Sequence, residues 1–275
     1  MAPLPDVGPT FEWIEASWGP ALCCRSLGAV APHLFTSRQL RLSGDGPEMS
    51  EAWNALATSL AVSPGRVTWL HQVHGTGVVI VRSDQGLHRS AMTEGDALIS
   101  DDPGVVIAVK AADCAPILLA DRRTGSVGAV HAGWRGTAAG IVGKTVTAMQ
   151  ETFGTRPADL VAAIGPAIGT CCYEVGTDLV DAFAAAGHAR HLIERWFLSP
   201  PPRRGERGVS TLRLDLAGAN RDQLVLAGLA EGDVHLSGLC TANHLDVLTS
   251  FRAEREHAGR LAGAIRARGV RHSAP

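Results

Sequence analysis

The chain has 275 residues, of which 45% are hydrophobic and 19% are charged, a composition that is ordinary for a globular protein with a sizeable core. Its formal net charge of −2 argues against a surface built to bind nucleic acid. The longest apolar runs are far shorter than a membrane span, and the first residues lack the pattern of a signal peptide, so the composition favours a cytoplasmic protein without a membrane partner.

Strand and helix patterns alternate along the whole chain. After an irregular lead-in over residues 1–20, residue type and periodicity predict, in chain order, strands at 21–26 and 34–38, a helix at 49–61, strands at 67–74, 77–82, 105–109, 117–120 and 126–131, a helix at 137–153, a strand at 160–164, helices at 177–186 and 212–229, and a strand at 234–239. Residues 258–267 fit either type, and 199–208 (SPPPRRGERG) predict an exposed loop. No repeat or linker divides the chain, which favours a single α/β or α+β domain.

The six cysteines do not form a disulfide framework. Four of them stand in two adjacent pairs and no CxxC occurs, so a zinc ribbon or a thioredoxin motif is excluded. In a reducing compartment most of them are expected to be small core residues, with one available as a metal ligand.

A first candidate segment is HQVHG, which starts at His71. If residues 67–74 form a strand, His71 and His74 have opposite parity and point to opposite faces. His74, at the strand end before Gly75, is then the histidine with room to meet a ligand from elsewhere.

A second candidate segment is ADCAP, between two predicted buried strands. Cys114 in such a place is either a packed core thiol or a ligand. Asp113 beside it favours a functional reading, because a carboxylate between apolar strands needs a partner.

A third candidate segment is HAGWRG, where His131 ends a strand and Gly133 opens the turn into a helix. Free amides at a helix start and the Arg135 guanidinium are together typical of an anion site. His74, Cys114 and His131 form a two-histidine, one-cysteine set. Such a set suits a catalytic zinc ion with an open fourth position, and equally a blue-copper centre.

The motifs HQVHG, ADCAP, HAGWRG and IGPAIGTCCYEVG, in this order, closely resemble the YfiH family, whose members carry the older name of multicopper polyphenol oxidases or laccases. The resemblance runs from about residue 35 to residue 260. It implies a single-domain α/β/β/α sandwich, with mixed sheets flanked by helices and with Zn²⁺ bound by His74, Cys114 and His131. It also implies purine-nucleoside chemistry: phosphorolysis of adenosine, inosine and methylthioadenosine, and deamination of adenosine.

The resemblance also suggests substrate-binding arginines. Arg38 matches an FSTR-like segment, although the glycines that usually follow are replaced by other residues. Arg252 matches a CT…FSxR pattern, but Asn243 stands where the family often has a second cysteine, which weakens any role for Cys240. A further matching set on the 212–229 helix is expected to cap and pack: Asp215, Asn220 and Gln223.

The residues favour nucleoside chemistry over phenol oxidation. A multicopper oxidase needs many histidines, usually in close HxH pairs, whereas this chain has 11 histidines and no HxH. The leading hypothesis is therefore a zinc-dependent purine nucleoside phosphorylase and adenosine deaminase in which Arg135 and helix amides hold phosphate. Glu174 or Asp113 would move protons. Three alternatives stay open: a Cu²⁺-dependent phenol oxidase, an amidase that proofreads a peptidoglycan precursor, and a non-catalytic protein braced by zinc. A monomer is favoured.

Overall fold

The computed structural model describes residues 3–44, 46–82, 93–199 and 212–269. Its strands are β1 (Phe11–Ala16), β2 (Gly19–Cys24), β3 (His33–Thr36), β4 (Val67–Thr68), β5 (Val78–Val81), β6 (Ala97–Ser100), β7 (Val106–Ala111), β8 (Ala115–Asp121), β9 (Val127–Ala132), β10 (Leu160–Ile164), β11 (Phe197–Leu198), β12 (Arg213–Leu214), β13 (Val234–Leu236) and β14 (Leu261–Ile265). Its helices are α1 (Arg25–Gly28), α2 (Pro47–Ser59), α3 (Trp134–Ala138), α4 (Ile141–Phe153), α5 (Thr177–Ala185), α6 (Arg190–Trp196), α7 (Leu216–Leu226) and α8 (Phe251–Glu254). None of the helices in these ranges is long and apolar enough to cross a membrane.

Two mixed sheets form the centre of the molecule. One has the strand order β1-β2-β3-β14-β7-β4 and the other β13-β10-β8-β9-β6-β5. The pairs β4–β7, β5–β6 and β10–β13 are parallel, and the remaining neighbours are antiparallel. Both sheets therefore combine hairpin-like and crossover connections, as expected for a chain in which strands and helices are intermixed.

The layers follow from the two-residue period of the strands. On β7, Ile107 and Val109 face the other sheet, whereas Val106 and Ala108 pack towards α2. On β8, alternate side chains likewise enter the space between the sheets or the core shared with α4 to α7. Side chains that alternate across a strand can fill two cores only if both faces are covered. The expected α/β/β/α layering of two mixed sheets between helices is confirmed.

The prediction of an irregular lead-in over residues 1–20 is wrong from Phe11 onward. Phe11 pairs with Cys24 in the antiparallel β1–β2 hairpin and is almost fully buried between the sheets. The segment FEWIEA is short and only its first residue is buried, so its sequence shows no clear buried face. Pairing with β2 supplies the backbone hydrogen bonds that make it a strand.

The predicted strand at 67–74 is also wrong in its length. Only Val67–Thr68 is a strand, and His74 has a φ of 59°, a left-handed conformation that no strand contains. The predicted pairing of this run with the next is wrong as well, because β4 joins the first sheet and β5 the second. The segment between them crosses from one sheet to the other.

Two predicted long helices are shorter than expected. Gly140, with a φ of 75°, separates α3 from α4 within the predicted helix at 137–153. The predicted helix at 212–229 begins only at Leu216, where the Asp215 side chain accepts the Gly218 N–H and caps it. Residues 258–267 contain a strand, β14. Most of the predicted 199–208 loop lies outside the described residues.

His33, buried in β3, should make stability depend on pH. Its Nε2 accepts the Cys24 N–H at 2.9 Å and its Nδ1 donates to the Ala31 carbonyl at 3.1 Å, so the ring is neutral. Burial lowers its pKa from 6.5 to about 4. Because the unfolded chain then takes up this proton first, the stabilisation is complete above pH 6.5 and is lost as the pH falls towards 4, at a cost of about 3 kcal/mol.

This dependence is measured as the free energy of unfolding in urea between pH 7.5 and pH 4. The free energy of unfolding should fall less for His33→Gln than for the wild type over this pH range. His191→Gln, which changes an exposed histidine, should show the same fall as the wild type. Parallel curves for wild type and His33→Gln would contradict the prediction.

Candidate metal centre and cleft

Three neighbouring strands bring metal-ligating residues to one end of the second sheet. β6, β9 and β8 lie side by side and are antiparallel, so the starts of β6 and β8 meet the end of β9. Asp96 directly precedes β6, Cys114 directly precedes β8, and His131 lies near the end of β9, opposite Pro116. Residues far apart in sequence therefore become neighbours through strand register alone.

Asp96 positions the loop that carries His74. This carboxylate is fully buried and accepts the backbone N–H groups of Val73, His74 and Gly75 at 3.3, 3.0 and 2.6 Å. Its Oδ1 also contacts His131 Nδ1 at 2.8 Å. One side chain thus holds His74 in its left-handed backbone conformation and orients the His131 ring, which leaves His131 Nε2 free for a ligand.

His74, Cys114 and His131 converge. One donor atom from each lies within 4.8 Å of the other two, and exposure increases from buried His131 through half-buried Cys114 to exposed His74. Protein therefore covers the group at His131, and solvent reaches it at His74, so a fourth ligand could enter from that side as in a catalytic metal site. Gly133 makes room for it, because a Cβ there would lie 2.8 Å from Cys114 Sγ and 3.0 Å from His74 Cδ2.

The electrostatics favour the metal-binding form of the cysteine. Burial would raise the pKa of Cys114, but hydrogen bonds with His131 and His74 outweigh it and lower the pKa. Burial would lower the pKa of His131, yet its bonds with Asp96 and Cys114 raise it. Both directions favour the thiolate of Cys114, which is the form of cysteine that binds a metal.

A cleft of about 570 Å³ opens beside this group. It is lined by apolar side chains, by the ligand trio, by cations and by a few other polar residues, namely Leu70, His71, Gln72, His74, Lys110, Ala111, Ala112, Asp113, Cys114, His131, Ile168, Tyr173, Leu216, Phe251, Arg252, Arg255 and Arg260. The β14–β7 register pairs Leu261 with Ala111, which brings the preceding C-terminal segment against the end of β7.

Asp113 and Arg252, both predicted site residues, meet in the cleft. The Asp113 carboxylate accepts the Thr241 hydroxyl and the Arg252 backbone N–H, each at 2.6 Å, and its φ is 85°. The Arg252 guanidinium donates to the Glu174 carbonyl at 3.1 Å and lies 5.3 Å from the centre of the Tyr173 ring. Asp113 therefore anchors the segment that carries Arg252.

Arg135, the predicted phosphate ligand, lies outside the cleft lining. It is exposed, and its guanidinium lies 4.3 Å from the centre of the Trp134 ring. The helix that follows Gly133 is only the five-residue α3. The structure does not bring this arginine together with the cations of the cleft.

Arg38 and Glu174 lie outside the cleft lining too. Arg38 donates to the Leu245 carbonyl and forms an ion pair with Glu254 at 2.9 Å. The Glu174 side chain is half exposed and pairs with Arg213 at 3.3 Å, while its carbonyl holds Arg252. Both residues hold the segment that carries Arg252: Arg38 through Leu245 and Glu254, and Glu174 through its backbone carbonyl.

Sequence reasoning missed Asp96, Gln72, Arg255 and Arg260. Gln72 uses both ends of its amide on the Lys110 backbone, donating at 2.6 Å and accepting at 2.8 Å, and so ties the His74 loop to β7. An acid directly before a buried strand is a signal that could have identified Asp96. The expected capping and packing roles are confirmed, since Asn220 and Gln223 donate to Thr137 at 2.9 and 3.0 Å.

Residues 21–268 match the family described as multi-copper polyphenol oxidoreductase laccase. The chain belongs to this family. A relative from Deinococcus radiodurans, named purine nucleoside phosphorylase, is 35% identical over 254 residues, which cover 88% of this chain and 91% of the relative.

Two solved structures of the family share the fold. YlmD from Geobacillus stearothermophilus has a TM-score of 0.78 and 31% identity, over 96% of this chain and 100% of that one. The hypothetical protein YfiH from Bacillus licheniformis has a TM-score of 0.78 and 26% identity, over 90% and 96%. The expected membership of the YfiH family is confirmed.

Proposed function

We propose that this chain is a zinc-dependent purine nucleoside phosphorylase, which splits a nucleoside with phosphate into the free base and ribose 1-phosphate. The observation that carries the proposal is a single cleft in which a two-histidine, one-cysteine group adjoins an apolar wall and a set of cations. The family relative named purine nucleoside phosphorylase supports the same assignment.

The donor set of the cleft fits zinc. Two imidazoles and one thiolate leave a fourth position open, the Asp96–His131 pair is the carboxylate–histidine arrangement common behind zinc ligands, and Gly133 leaves space for the group. When bound, Zn²⁺ supplies Lewis-acid polarisation of a substrate atom. His74, Cys114 and His131 are its proposed ligands.

The apolar wall is the proposed site of the purine base. Leu70, Ile168 and Leu216 offer aliphatic contact, and two aromatic rings, Tyr173 and Phe251, stand in the same cleft. Phe251 is 48% exposed, which is unusual for a phenylalanine. A flat, uncharged base that covers this ring removes apolar surface from water.

The cations of the C-terminal segment are the proposed phosphate site. Arg252, Arg255 and Arg260 line the cleft together with Lys110, and Asp113 is the acid beside them. Guanidinium groups bind phosphate oxygens with charge-assisted, often bidentate hydrogen bonds. A phosphate oxygen attacks C1′ of the ribose as the bond from C1′ to the base nitrogen breaks, and the departing base takes up the proton that hydrogen phosphate loses.

Of the two carboxylates predicted to move protons, Asp113 is the one in the cleft. Because its oxygens already accept two hydrogen bonds, we propose that it mainly fixes Arg252 and relays the phosphate proton to the base only when the Thr241 bond is exchanged for substrate. Glu174 acts as a positioning residue through its carbonyl.

Copper oxidation of phenols is less well supported by the same residues. Within the described ranges, His, Cys, Asp and Glu donors gather in two groups, one of which contains no histidine. A multinuclear copper cluster requires several further histidines in contact.

The proposal is tested by incubating the metal-loaded chain with inosine and, separately, with adenosine, with and without phosphate. Hypoxanthine or adenine should appear together with an equal amount of ribose 1-phosphate, and only when phosphate is present. Inosine formed from adenosine would report the deaminase activity that the sequence predicts. Absence of free base at every phosphate concentration would refute the phosphorylase.

Substitution of Arg255 should weaken phosphate binding specifically. The described residues offer its guanidinium no hydrogen-bond acceptor, so Arg255→Met removes a charge without breaking a protein contact. We expect the KM for phosphate to rise about tenfold or more while the KM for inosine stays similar. Arg135→Met should leave both constants near the wild-type values. The opposite pattern would place phosphate at the start of α3, as the sequence alone suggests.

A further inference from the structure

Three other cysteines lie close together outside the cleft lining. Cys171, Cys172 and Cys240 each place the sulfur within 4.8 Å of the other two. Cys240 is buried, and the adjacent pair is half-buried and so reachable from solvent. None of the three lines the cleft, and the proposed phosphorolysis does not use them.

Backbone structure fixes this cluster. Ala167 pairs with Cys240 in an isolated bridge, and the turn that follows brings the Cys172 N–H to the Gly169 carbonyl at 2.9 Å. Gly169 approaches closely: a Cβ there would lie 3.2 Å from Cys240 Cβ and 3.3 Å from Cys171 Sγ. The three sulfurs are therefore held together by the fold rather than by flexible side chains.

Two of the three sulfurs accept N–H groups, an arrangement that suits thiolates. The Gly169 N–H donates to Cys240 Sγ at 3.2 Å, and Asn243 Nδ2 donates to Cys171 Sγ at 3.1 Å. Asn243 Oδ1 accepts from Cys172 Sγ at 3.1 Å, so one amide oxygen faces the same group. N–H donors that point at sulfur stabilise its anionic form and are common around metal-bound thiolates.

Positive charge lies beside the cluster. Arg213, which is almost completely buried, donates to the Cys171 carbonyl at 3.2 Å, and Arg252 donates to the Cys172 carbonyl at 3.5 Å. Three thiolates with a divalent cation carry a net charge of −1, and with a monovalent cation −2. Arg252 offsets part of that charge, and Arg213, which also pairs with Glu174 at 3.3 Å, adds a smaller share.

We propose that Cys171, Cys172 and Cys240 form a second metal site, which takes one thiophilic closed-shell ion, Zn²⁺ or Cu⁺. Soft thiolates select such ions. Each thiol releases one proton to solvent as its sulfur bonds to the metal, and no oxidant is needed. With Zn²⁺ the Asn243 amide oxygen would serve as the fourth ligand, whereas Cu⁺ needs only the three sulfurs.

The first experiment counts metal on the full-length chain under anaerobic, reducing conditions. Cys114→Ala removes the thiol of the first site, so a thiolate–metal absorption band that remains in this variant reports the cysteine cluster. Cd²⁺ serves as the probe for the Zn²⁺ arm, and Cu⁺ is added in competition with a chromophoric chelator. Cys114→Ala should bind one equivalent of one of the two ions, and Cys114→Ala with Cys240→Ala should bind none. No band with either ion in Cys114→Ala would overturn the proposal.

A second experiment needs no variant. Alkylation of the wild-type chain, mapped by mass spectrometry, should slow at least tenfold at Cys171 and Cys172 when Cd²⁺ or Cu⁺ is added. Cys23, a half-buried member of the other adjacent pair, is the matched control and should react at an unchanged rate. Unchanged reactivity at Cys171 and Cys172 with both ions, or a disulfide between cluster cysteines that survives reduction, would also overturn the proposal.

Discussion

Gly133→Ala should weaken Zn²⁺ binding by roughly a hundredfold or more and should reduce phosphorolysis in proportion. The new Cβ would lie 2.8 Å from Cys114 Sγ and 3.0 Å from His74 Cδ2, closer than side-chain atoms tolerate, so one or both ligands must move. The backbone itself is no obstacle, because Gly133 has an extended conformation with a φ of −78° that alanine adopts readily. The effect therefore isolates the crowding of the metal ligands.

Gly143→Ala is the matched control. Gly143 lies inside α4 with nothing within 4 Å of the added Cβ, so the variant should keep its metal and gain up to about 1 kcal/mol of stability from helix propensity. Elemental analysis, competition with a chromophoric chelator and kcat/KM for inosine are compared across both variants, with a thermal melt to verify folding. A folded Gly133→Ala protein with full zinc and full activity would refute the assignment of the trio as the metal site.

Asp96→Asn should lower metal affinity ten- to a hundredfold. Asp96 accepts three backbone N–H groups and contacts His131 Nδ1 at 2.8 Å. An asparagine replaces one accepting oxygen with an NH₂ group, so either an amide of the His74 loop or the His131 ring loses its partner. Because the group is fully buried, we also expect a loss of roughly 3 kcal/mol in stability. Metal affinity is measured by chelator competition and stability by urea unfolding.

Asp121→Asn separates the two effects. Asp121 is equally buried and accepts backbone N–H groups of Arg123 and Thr124 at 2.7 and 3.0 Å, but it lies at the other end of β8 from Cys114. The Asp121→Asn protein should be less stable than the wild type, but its metal affinity should stay at the wild-type value. If Asp96→Asn lowers stability without changing metal affinity, Asp96 has only a structural role.

The sequence favoured His74 over His71 because of strand parity, and the structure gives a different reason for the same choice. Strand parity cannot apply, because β4 ends at Thr68. His74 meets Cys114 and His131 because Asp96 gathers the amides around it in a left-handed turn. A carboxylate 22 residues later in the chain makes this choice, and no local pattern reports it.

The sequence by itself determined the kinds of donors and the layers of the fold. His74, Cys114 and His131 stand in motifs with turn residues beside strands, and the alternating apolar residues of β7 and β8 required a cover on both faces. These features are local, since side-chain chemistry and the two-residue period of a strand depend on neighbouring residues alone.

Only the tertiary structure decided which side chains share the cleft. The β8–β9 register brings Cys114 to His131, and the β14–β7 register brings the segment with Arg252, Arg255 and Arg260 into the cleft that Asp113 lines, whereas Arg135 lies outside that lining. Register depends on hydrogen bonds between strands distant in sequence, and a shift of one residue would reverse every side chain. For that reason residue type and motif could point to the proposed metal ligands and to Arg252, but they could not show that Arg255 and Arg260 line the same cleft.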